Sequence, residues 1–344
     1  MSGGVDSSVV AALLVDQGED VIGIMMRLWS DKLVENRCCS PADLANARRI
    51  AGKLNIPFYV LDAKDTFKRN VVDFFVEGYV RGVTPNPCVE CNRHIRWRYL
   101  LDYAQVLGAT HLATGHYAQV KRRNGGYSLY RAKDLKKDQS YVLSILNQEQ
   151  LSHALFPIGG YIKSEVRALA HDYSLIVADR PESQDLCFIG GGDYRLFLEN
   201  SGAILPAGGA IFSVQGKYLG EHKGLAFYTI GQRKGLGISA PQPLYVIRKD
   251  LARNHLIVGT KDALGSTNFI IKDLHWVNGE APDEKIRLGV QVRYRAAEQW
   301  ATLIPRSGQK AEIDLENPIA DITPGQLAVF YKEGECLGGG LIQP

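Results

Sequence analysis

The sequence lacks the features that place a protein in a membrane or outside the cell. No apolar run is long enough to cross a bilayer. No basic segment followed by an apolar core, as in a secretion signal, opens the chain. Cysteine is scarce, with six in 344 residues. In a chain without a leader we expect these thiols to be reduced and to serve catalysis or metal binding rather than disulfides. We therefore expect a cytoplasmic protein with no membrane partner.

A strong charge imbalance is also missing. The chain has 40 Lys and Arg against 37 Asp and Glu, a net charge of +3 that only weakly favours an anionic partner. The basic residues do cluster, at Arg93, Arg96 and Arg98; Lys121, Arg122 and Arg123; Lys133, Lys136 and Lys137; and Arg233 and Lys234. Such clusters either line a nucleic-acid path or form solvated faces, and the sequence leaves both open.

A phosphate-binding loop is indicated by the first eight residues, Met1-Ser2-Gly3-Gly4-Val5-Asp6-Ser7-Ser8. Adjacent glycines let the backbone approach a ligand closely. The apolar run 9–15 predicts a helix, whose free N–H groups and dipole favour a phosphate. Asp6 is placed to hold a magnesium ion beside it. Because no lysine follows the glycines, this is not the Gly-x-x-x-x-Gly-Lys loop; the alternative is a capped glycine–serine turn.

The next part of the chain alternates strands with helices. Strands are predicted at 20–29 and 56–61, and Ser40 with Pro41 starts a helix between them. This alternation predicts an α/β fold with a parallel sheet. A phosphate loop of this kind should follow a strand, and no residue precedes it here. We therefore expect that the true start lies upstream or that the chain is truncated.

Two segments carry the cysteines of interest. Cys91 follows Cys88 in a Cys-x-x-Cys and lies near the start of a helix predicted over 95–107, where a helix N-terminus favours the thiolate. The alternatives are half of a zinc site or two buried thiols, and the second Cys-x-x-Cys that a complete zinc site needs is absent. Cys187 lies in an irregular segment over 180–188. The remaining cysteines, Cys38, Cys39 and Cys336, are interpreted as structural.

After about residue 200 glycine-rich turns separate short strands, and helical periodicity is weak. We predict three domains: an α/β catalytic domain over residues 1–198, a small linking domain over 199–264 and a β-barrel domain over 265–344. Further predicted elements are a helix over 67–80, a hairpin over 117–131 with its turn at 124–126, a helix over 165–173 capped by Ser164, and barrel strands over 290–294 and 327–331.

An ordered set of short motifs covers essentially the whole chain. They are Ser2 to Ser8; Thr84-Pro85-Asn86-Pro87 with Cys91-Asn92; Ala113-Thr114-Gly115-His116-Tyr117; Lys137-Asp138-Gln139-Ser140-Tyr141; Cys187-Phe188-Ile189; Tyr228-Thr229-Ile230-Gly231-Gln232-Arg233; Arg293-Tyr294-Arg295; and Thr323-Pro324-Gly325-Gln326. Each is weak alone, but together they resemble the bacterial tRNA-specific 2-thiouridylases of the PP-loop ATP pyrophosphatase superfamily. The resemblance implies a parallel-sheet pyrophosphatase domain of the adenine nucleotide alpha hydrolase type, a small central domain and a C-terminal β-barrel.

The resemblance also implies an activity. The family transfers sulfur to C2 of the wobble uridine of tRNA, through an adenylated intermediate, and gives 2-thiouridine. The implied cofactors are ATP and Mg²⁺. The implied partners are tRNA and a sulfur donor such as a cysteine desulfurase or a sulfur relay protein, and we expect a monomer. By correspondence, Cys187 carries a persulfide and Cys91 is the nucleophile that helps to release its terminal sulfur.

Other site residues are implied by the same correspondence. Met1, Ser2, Gly3, Gly4, Val5, Asp6, Ser7, Ser8, Met26 and Gly115 would bind ATP. Asn86, Pro87 and Cys88 would meet the target base. His116, Lys137, Asp138, Gln139, Arg293, Tyr294 and Gln326 would contact tRNA. For Met26, a place in the core is an equal alternative.

Cys88 departs from the family pattern, since many members carry Asp there as a proposed general base. Cys88, Cys91 and Cys187 together make a three-thiolate set that suits a [4Fe-4S] cluster with one iron left open. Such an iron would bind hydrosulfide and replace the persulfide route. Two further alternatives are an amide-forming ligase of the same superfamily and a non-catalytic tRNA-binding module.

Overall fold

The computed structural model describes residues 1–29, 40–123, 125–181, 186–189, 192–320 and 322–344. Cys38, Cys39 and Asn124 of the predicted hairpin turn therefore lie outside the described residues. Within those ranges, no helix combines the length and the apolar composition needed to cross a bilayer.

The N-terminal region has the predicted α/β alternation. Helix α1 (Val5–Asp16) follows the glycine loop directly, and β1 (Gly23–Arg27) pairs in parallel with β2 (Phe58–Asp62) across α2 (Pro41–Lys53). Both strands are shorter than predicted, because their hydrogen-bonded register spans only these residues. The predicted start of α2 is confirmed. The Ser40 Oγ accepts from the Asp43 N–H at 3.1 Å while the Asp43 carboxylate accepts from the Ser40 N–H, a reciprocal cap.

Two long helices contain π-helical stretches. Such stretches are rare in proteins, and many of those known lie at functional sites. The first is α3 (Lys64–Phe67), a π-helical segment (Lys68–Val72) and α4 (Asp73–Val80). The second is α5 (Pro87–Glu90), a π-helical segment (Cys91–Leu100) and α6 (Leu101–Val106). The prediction that this helix starts at 95 is wrong. Pro87 fits the first helical turn, and the Asn86 Oδ1 accepts from the Cys88 and Val89 N–H groups.

The remaining N-terminal elements are β3 (Leu112–Ala113), β4 (Ala118–Arg123), β5 (Gly126–Arg131), α7 (Ser140–Leu143), α8 (Gln148–Ser152), β6 (Ala154–Leu155), α9 (Lys163–Asp172) and α10 (Tyr194–Asn200). Strands β3 and β6 pair in parallel, and β4 and β5 form the predicted hairpin. The cap predicted at Ser164 is wrong. Helix α9 begins at Lys163, because the Glu165 carboxylate accepts from the Ile162 N–H at 2.8 Å.

Two further sheets follow. A four-stranded sheet has the order β8-β7-β10-β9, from β7 (Gly209–Ser213), β8 (Tyr218–His222), β9 (Tyr245–Asp250) and β10 (His255–Gly259). The barrel strands are β11 (Ser266–Trp276), β12 (Ile286–Gln291), β13 (Gln299–Arg306), β14 (Lys310–Ile319), β15 (Leu327–Lys332) and β16 (Glu335–Ile342). Their order is β11-β14-β13-β12-β15-β16, and β16 pairs back with β11 to close it.

One predicted barrel strand is displaced along the sequence. The strand predicted over 290–294 lies at Ile286–Gln291. The chain leaves the sheet after Gln291, whose side-chain Nε2 donates to the carbonyls of Arg293 at 3.0 Å and Tyr294 at 2.8 Å. This local turn leaves residues 292–296 as a loop at the end of the barrel.

The barrel is joined to the N-terminal region by backbone hydrogen bonds. Strand β5 of the hairpin pairs with β16, with Leu129 opposite Cys336. The Thr84 N–H donates to the Pro324 carbonyl at 2.9 Å. These bonds bring the barrel loops 292–296 and 323–326 beside the segment that leads to Cys88.

Candidate active site

A cavity of about 700 Å³ lies between the N-terminal region and the barrel. Fifteen of the sequence-predicted site residues line it: Ser2, Gly4, Val5, Asp6, Asn86, Pro87, Cys88, Cys91, Gly115, His116, Lys137, Gln139, Cys187, Tyr294 and Gln326. The fold thus brings the glycine loop, both cysteine segments and the two barrel loops to one space.

The other predicted residues are not among the described residues that line the cavity. They are Met1, Gly3, Ser7, Ser8, Met26, Asp138 and Arg293. Met26 is half-buried and packs against the core. Asp138 accepts from Arg131 Nη1 and Ser140 Oγ, both at 2.8 Å, so its carboxylate orders the segment that carries Lys137. Arg293 donates to the Ile230 carbonyl at 3.0 Å and links the barrel to the central domain.

The glycine loop has a geometry that its residue types explain. Gly3 has φ +72°, and a Cβ there would lie 2.5 Å from the Asp43 carbonyl oxygen. Both the backbone conformation and the lack of space therefore exclude a side chain at this position. The Ser8 Oγ donates to the Gly4 carbonyl at 2.7 Å and closes the first turn of α1. Gly4 caps the helix without a side chain. Within the described residues no side chain caps the first N–H groups of α1, which leaves them available to an anionic ligand.

Two residues outside the loop fix its position. A Cβ on Gly115 would lie 3.0 Å from the Asp6 Cβ and from the Ser7 nitrogen, so Gly115 permits close packing on α1. Arg180 donates to the Gly3 carbonyl at 2.8 Å and forms an ion pair with the buried Asp43 of α2. Arg180 therefore connects the loop to the chain segment that leads to Cys187.

The Asp6 carboxylate, predicted to hold magnesium, has two partners in this structure. Its Oδ1 accepts from the Tyr117 hydroxyl at 2.9 Å and from the Lys163 Nζ at 2.6 Å. Lys163 is the first residue of α9 and was not part of any sequence motif. Its contact with Asp6 spans 157 positions. No local sequence signal identifies such a pair.

The cavity is strongly basic. Among the described lining residues six carry positive charge and two carry negative charge: Arg96, Lys136, Lys137, Lys163, Arg180 and Arg295 against Asp6 and Asp43. His116 adds no charge near neutral pH. Burial, with a smaller effect of Arg96, lowers its pKa well below the usual value. The His116 Nδ1 lies 2.8 Å from the Thr114 Oγ1. The lining suits a polyanionic ligand.

The two predicted catalytic cysteines lie in one hydrophobic cluster. Cys91 is buried and Cys187 is half-buried. Phe188, next to Cys187, is 1% exposed, and its ring centroid lies 5.2 Å from that of Phe75 and 6.0 Å from that of Phe67, both edge to face. Phe188 therefore anchors Cys187 at the cavity wall. Cys336 is a different case, since it is buried in β16 outside the cavity and burial raises its pKa.

Cys88 is exposed and lies in α5, one turn before Cys91 on the same long helix. Its N–H donates to the Asn86 Oδ1 at 3.2 Å, and its carbonyl accepts from the Asn92 Nδ2 at 3.0 Å. Tyr294 of the barrel faces it. Burial raises the pKa of Tyr294, and the charges of Asp138 and Cys88 act in the same direction against that of Arg295. Cys88 thus lies on the side of the N-terminal region that faces a barrel loop.

The metal predictions differ in how well the residues fit them. Among the described residues, no three His, Cys, Asp or Glu side chains form a group that could hold a metal ion. Cys88, Cys91 and Cys187 all line the cavity, and an iron–sulfur cluster held by these three thiols stays a prediction. Magnesium needs less, since it keeps several waters and binds one or two carboxylates plus substrate phosphates. Asp6 beside a bound pyrophosphate fits that description.

Comparison with known proteins identifies the family. Family models match residues 1–191 (tRNA methyl transferase HUP domain), 197–260 (tRNA methyl transferase PRC-barrel domain) and 266–342 (Aminomethyltransferase beta-barrel domain). The chain is 47% identical to the tRNA-specific 2-thiouridylase MnmA of Chloroflexus aurantiacus, over 99% of this chain and 96% of that protein. This chain belongs to the tRNA-specific 2-thiouridylase family.

Two further relatives extend the comparison. The tRNA-specific 2-thiouridylase MnmA of Roseiflexus castenholzii is 45% identical over 99% of this chain and 97% of that protein. The tRNA-specific 2-thiouridylase MnmA of Moorella thermoacetica is 44% identical over 100% of this chain and 98% of that protein. The family predicted from the ordered motifs is confirmed, and so is the α/β domain followed by a central domain and a β-barrel. Although two family models carry the words methyl transferase, the full-length relatives named here are all thiouridylases.

Proposed function

We propose that this chain is a tRNA-uridine 2-sulfurtransferase that uses ATP to replace O2 of the wobble uridine with sulfur. The observation that carries the proposal is the shared cavity, which places a phosphate loop and the thiols of Cys91 and Cys187 in one space. Ester or amide formation needs no thiol, whereas sulfur transfer needs a carrier. The amide-forming ligase and the tRNA-binding module find no support among the relatives.

Adenylation is the first step. A uridine C2 carbonyl is a poor electrophile because its oxygen is a bad leaving group. The O2 attacks the α-phosphorus of ATP as N3 loses its proton, and pyrophosphate leaves. The first-turn N–H groups of α1 hold the phosphates, and Asp6 with those phosphates would hold the magnesium ion that accompanies ATP. In this proposal Cys88, which lines the cavity beside Asn86, takes the N3 proton as a thiolate.

Sulfur transfer is the second step. The terminal sulfur of a Cys187 persulfide adds to C2, and AMP leaves with the former carbonyl oxygen. The Cys91 thiolate then attacks the Cys187 sulfur, which releases 2-thiouridine and forms a Cys91–Cys187 disulfide. The persulfide sulfur gains the two electrons that the two thiols lose. A dithiol reductant must therefore restore the thiols before the next turnover.

The basic rim binds the tRNA in this proposal. Lys137 and Gln139 line the cavity on the N-terminal side, and Tyr294 and Gln326 line it on the barrel side. Lysine and arginine side chains at such a rim neutralise phosphates, while an aromatic ring stacks on an unpaired base. Asp138 and Arg293 act by holding these segments in place. A wobble base must leave its stack to enter the cavity and reach Cys88 and the proposed ATP site.

The proposal is tested by nucleoside mass spectrometry. Unmodified tRNA is incubated with the protein, ATP, Mg²⁺, a dithiol, and a cysteine desulfurase with cysteine as the sulfur source. We expect 2-thiouridine and AMP in equal amounts. Cys91→Ser and Cys187→Ser are expected to abolish thiolation and to leave ATP and tRNA affinity near normal. Cys336→Ala, which removes a thiol outside the cavity, is the control and is expected to remain active.

The sulfur route is tested separately. Without a dithiol, the persulfide route predicts one turnover and a Cys91–Cys187 disulfide in the recovered protein. The alternative route, in which Cys88, Cys91 and Cys187 hold an iron–sulfur cluster that binds hydrosulfide, predicts iron in the purified protein. Iron content and visible absorption of anaerobically purified protein, wild type against Cys88→Asp, decide the matter. An iron-containing wild type whose colour and activity are both lost in Cys88→Asp would favour the cluster.

A further inference from the structure

A lysine that none of the sequence motifs contains lines the cavity beside the glycine loop. The Lys163 Nζ is 2.6 Å from the Asp6 Oδ1, and its side chain is 13% exposed. The Tyr117 hydroxyl donates to the same oxygen at 2.9 Å. Asp6 belongs to the first turn of α1, where the phosphates of ATP are proposed to bind. The ammonium group therefore lies beside that phosphate position.

We propose that Lys163 is a further catalytic residue of the adenylation step, and that its ammonium group contacts the pyrophosphate part of bound ATP. The inference rests on the proposed nucleotide site. Without ATP, Asp6 holds the ammonium group at the cavity wall. With ATP, the phosphate oxygens become its main partners, and it neutralises the charge that develops on the departing pyrophosphate.

The glycine loop itself lacks the residue that does this in other nucleotide-binding loops. In the Gly-x-x-x-x-Gly-Lys loop a lysine directly after the glycines reaches the β- and γ-phosphates. Here the glycines are followed by Val5-Asp6-Ser7-Ser8, which carries no cation. Lys163 brings a cation to the same loop from a distant part of the chain. The tertiary structure thus supplies what the loop sequence omits.

The position of Lys163 is fixed by rigid elements. Helices α1 and α9 pack together through a cluster that includes Val9, Val10, Val166 and Ala170, all buried. The Lys163 N–H donates to the Asp134 Oδ2 at 3.0 Å, which fixes the start of α9. Catalytic groups on packed helices hold their geometry better than groups on loops.

Helix stability does not explain a lysine at this position. A cation is disfavoured at a helix N-terminus, where the macrodipole is positive, and Lys163 is the first residue of α9. Burial of its ammonium group in the cavity carries a further desolvation cost. Lys133 provides the contrast. The Lys133 Nζ lies 3.0 Å from the carboxylate of Glu165, which is in the first turn of α9 with Lys163. The Lys133 side chain, however, is 52% exposed and is not among the described lining residues of the cavity.

The test compares Lys163→Gln with Lys133→Gln, which removes a neighbouring cation outside the site. Calorimetry measures the affinity for ATP, inorganic pyrophosphate and AMP, and a stopped assay measures tRNA-dependent AMP release. For Lys163→Gln we expect about tenfold weaker binding of ATP and pyrophosphate, unchanged AMP binding, and a kcat for AMP release lowered about 10²-fold. Lys133→Gln is expected to match the wild type throughout.

A merely structural role predicts a different pattern. Equal losses for AMP and pyrophosphate, or wild-type values for all three ligands and for AMP release, would overturn the proposal. If Lys163→Gln does not fold, the wild-type protein is used. Acetylation of Lys163 by acetic anhydride, followed by mass spectrometry with Lys133 as the internal reference, is expected to slow with pyrophosphate and not with AMP. An unchanged rate with pyrophosphate would refute the proposal.

These measurements also separate this inference from the proposed function. Ligand affinities and acetylation rates need no sulfur donor and no thiolation. If the wild type binds ATP but never forms 2-thiouridine, the proposed function fails while the role of Lys163 at the phosphates is still decided.

Discussion

Gln326 of the barrel donates a hydrogen bond from its Nε2 to the backbone carbonyl of Thr84, at 2.8 Å. A Cβ on the neighbouring Gly325 would lie 2.9 Å from the same carbonyl oxygen, so the two segments touch closely here. Thr84 lies two residues before Asn86, the cap of the helix that carries Cys88 and Cys91. The barrel therefore holds the start of the segment proposed to meet the target base.

Gln326→Ala is expected to lower kcat/KM for tRNA by roughly three- to tenfold, because a neutral hydrogen bond contributes about 0.5–1.5 kcal/mol. ATP affinity, measured by calorimetry, should stay unchanged, since the phosphate loop lies at the other end of the cavity. Gln215→Ala, an exposed glutamine of the central domain, is the control. An unchanged kcat/KM for tRNA in Gln326→Ala would show that the contact is dispensable.

Gly115→Ala is expected to weaken ATP binding roughly tenfold, because its Cβ would press on Asp6 and Ser7 and overpacking costs about 1–3 kcal/mol. Gly160→Ala is a matched control, since in the described part of the chain no atom beyond its two chain neighbours lies within 4 Å of its Cβ position. Equilibrium ATP binding and thermal unfolding are measured for both. If both variants bind ATP as the wild type does, the close packing of Gly115 on α1 does not position the loop.

Phe188→Ala is expected to lower the free energy of unfolding by about 3–5 kcal/mol, the usual cost of removing a fully buried aromatic ring. Phe188→Leu keeps most of the volume and should fold. Because the ring anchors Cys187, we expect Phe188→Leu to reduce persulfide formation on Cys187, measured by mass spectrometry after loading by a desulfurase. Phe212→Ala, in the half-exposed ring cluster of the central domain, is the control. Normal loading of Phe188→Leu would contradict the anchoring role.

His116 is expected to make stability fall with acid. Burial lowers its folded-state pKa well below the value of about 6.5 in the unfolded chain. As the pH falls, the unfolded state therefore binds the proton before the folded state does. The free energy of unfolding decreases as the pH drops from about 6.5 toward the lower folded-state pKa. His116→Gln removes this dependence and can still bond to Thr114. The measurement is Tm between pH 7.5 and 5 for both proteins, and His171→Gln, an exposed histidine, is the control. Parallel curves for His116→Gln and wild type would refute the prediction.

Local sequence signals identified the elements whose bonds are local. Ser40 and Pro41 start α2 because a cap needs only residues within one turn, and the glycine loop is recognisable because its own φ angles and first-turn N–H groups define it. The ordered motifs gave the family, since they lie in fixed order on one chain. The helix start at Pro87 was missed, although an asparagine cap before proline was a readable signal.

The tertiary structure decided which of these pieces meet. The pairing of Lys163 with Asp6, the contact of Arg180 with Gly3, and the bond of Gln326 to Thr84 join residues separated by 157, 177 and 242 positions. No periodicity or cap encodes such contacts, because they arise from packing α9 on α1 and a barrel on the segment before Cys88. The sequence by itself determined the chemistry that the chain carries; only the packing of distant elements placed a cation, a phosphate loop and two thiols around one cavity.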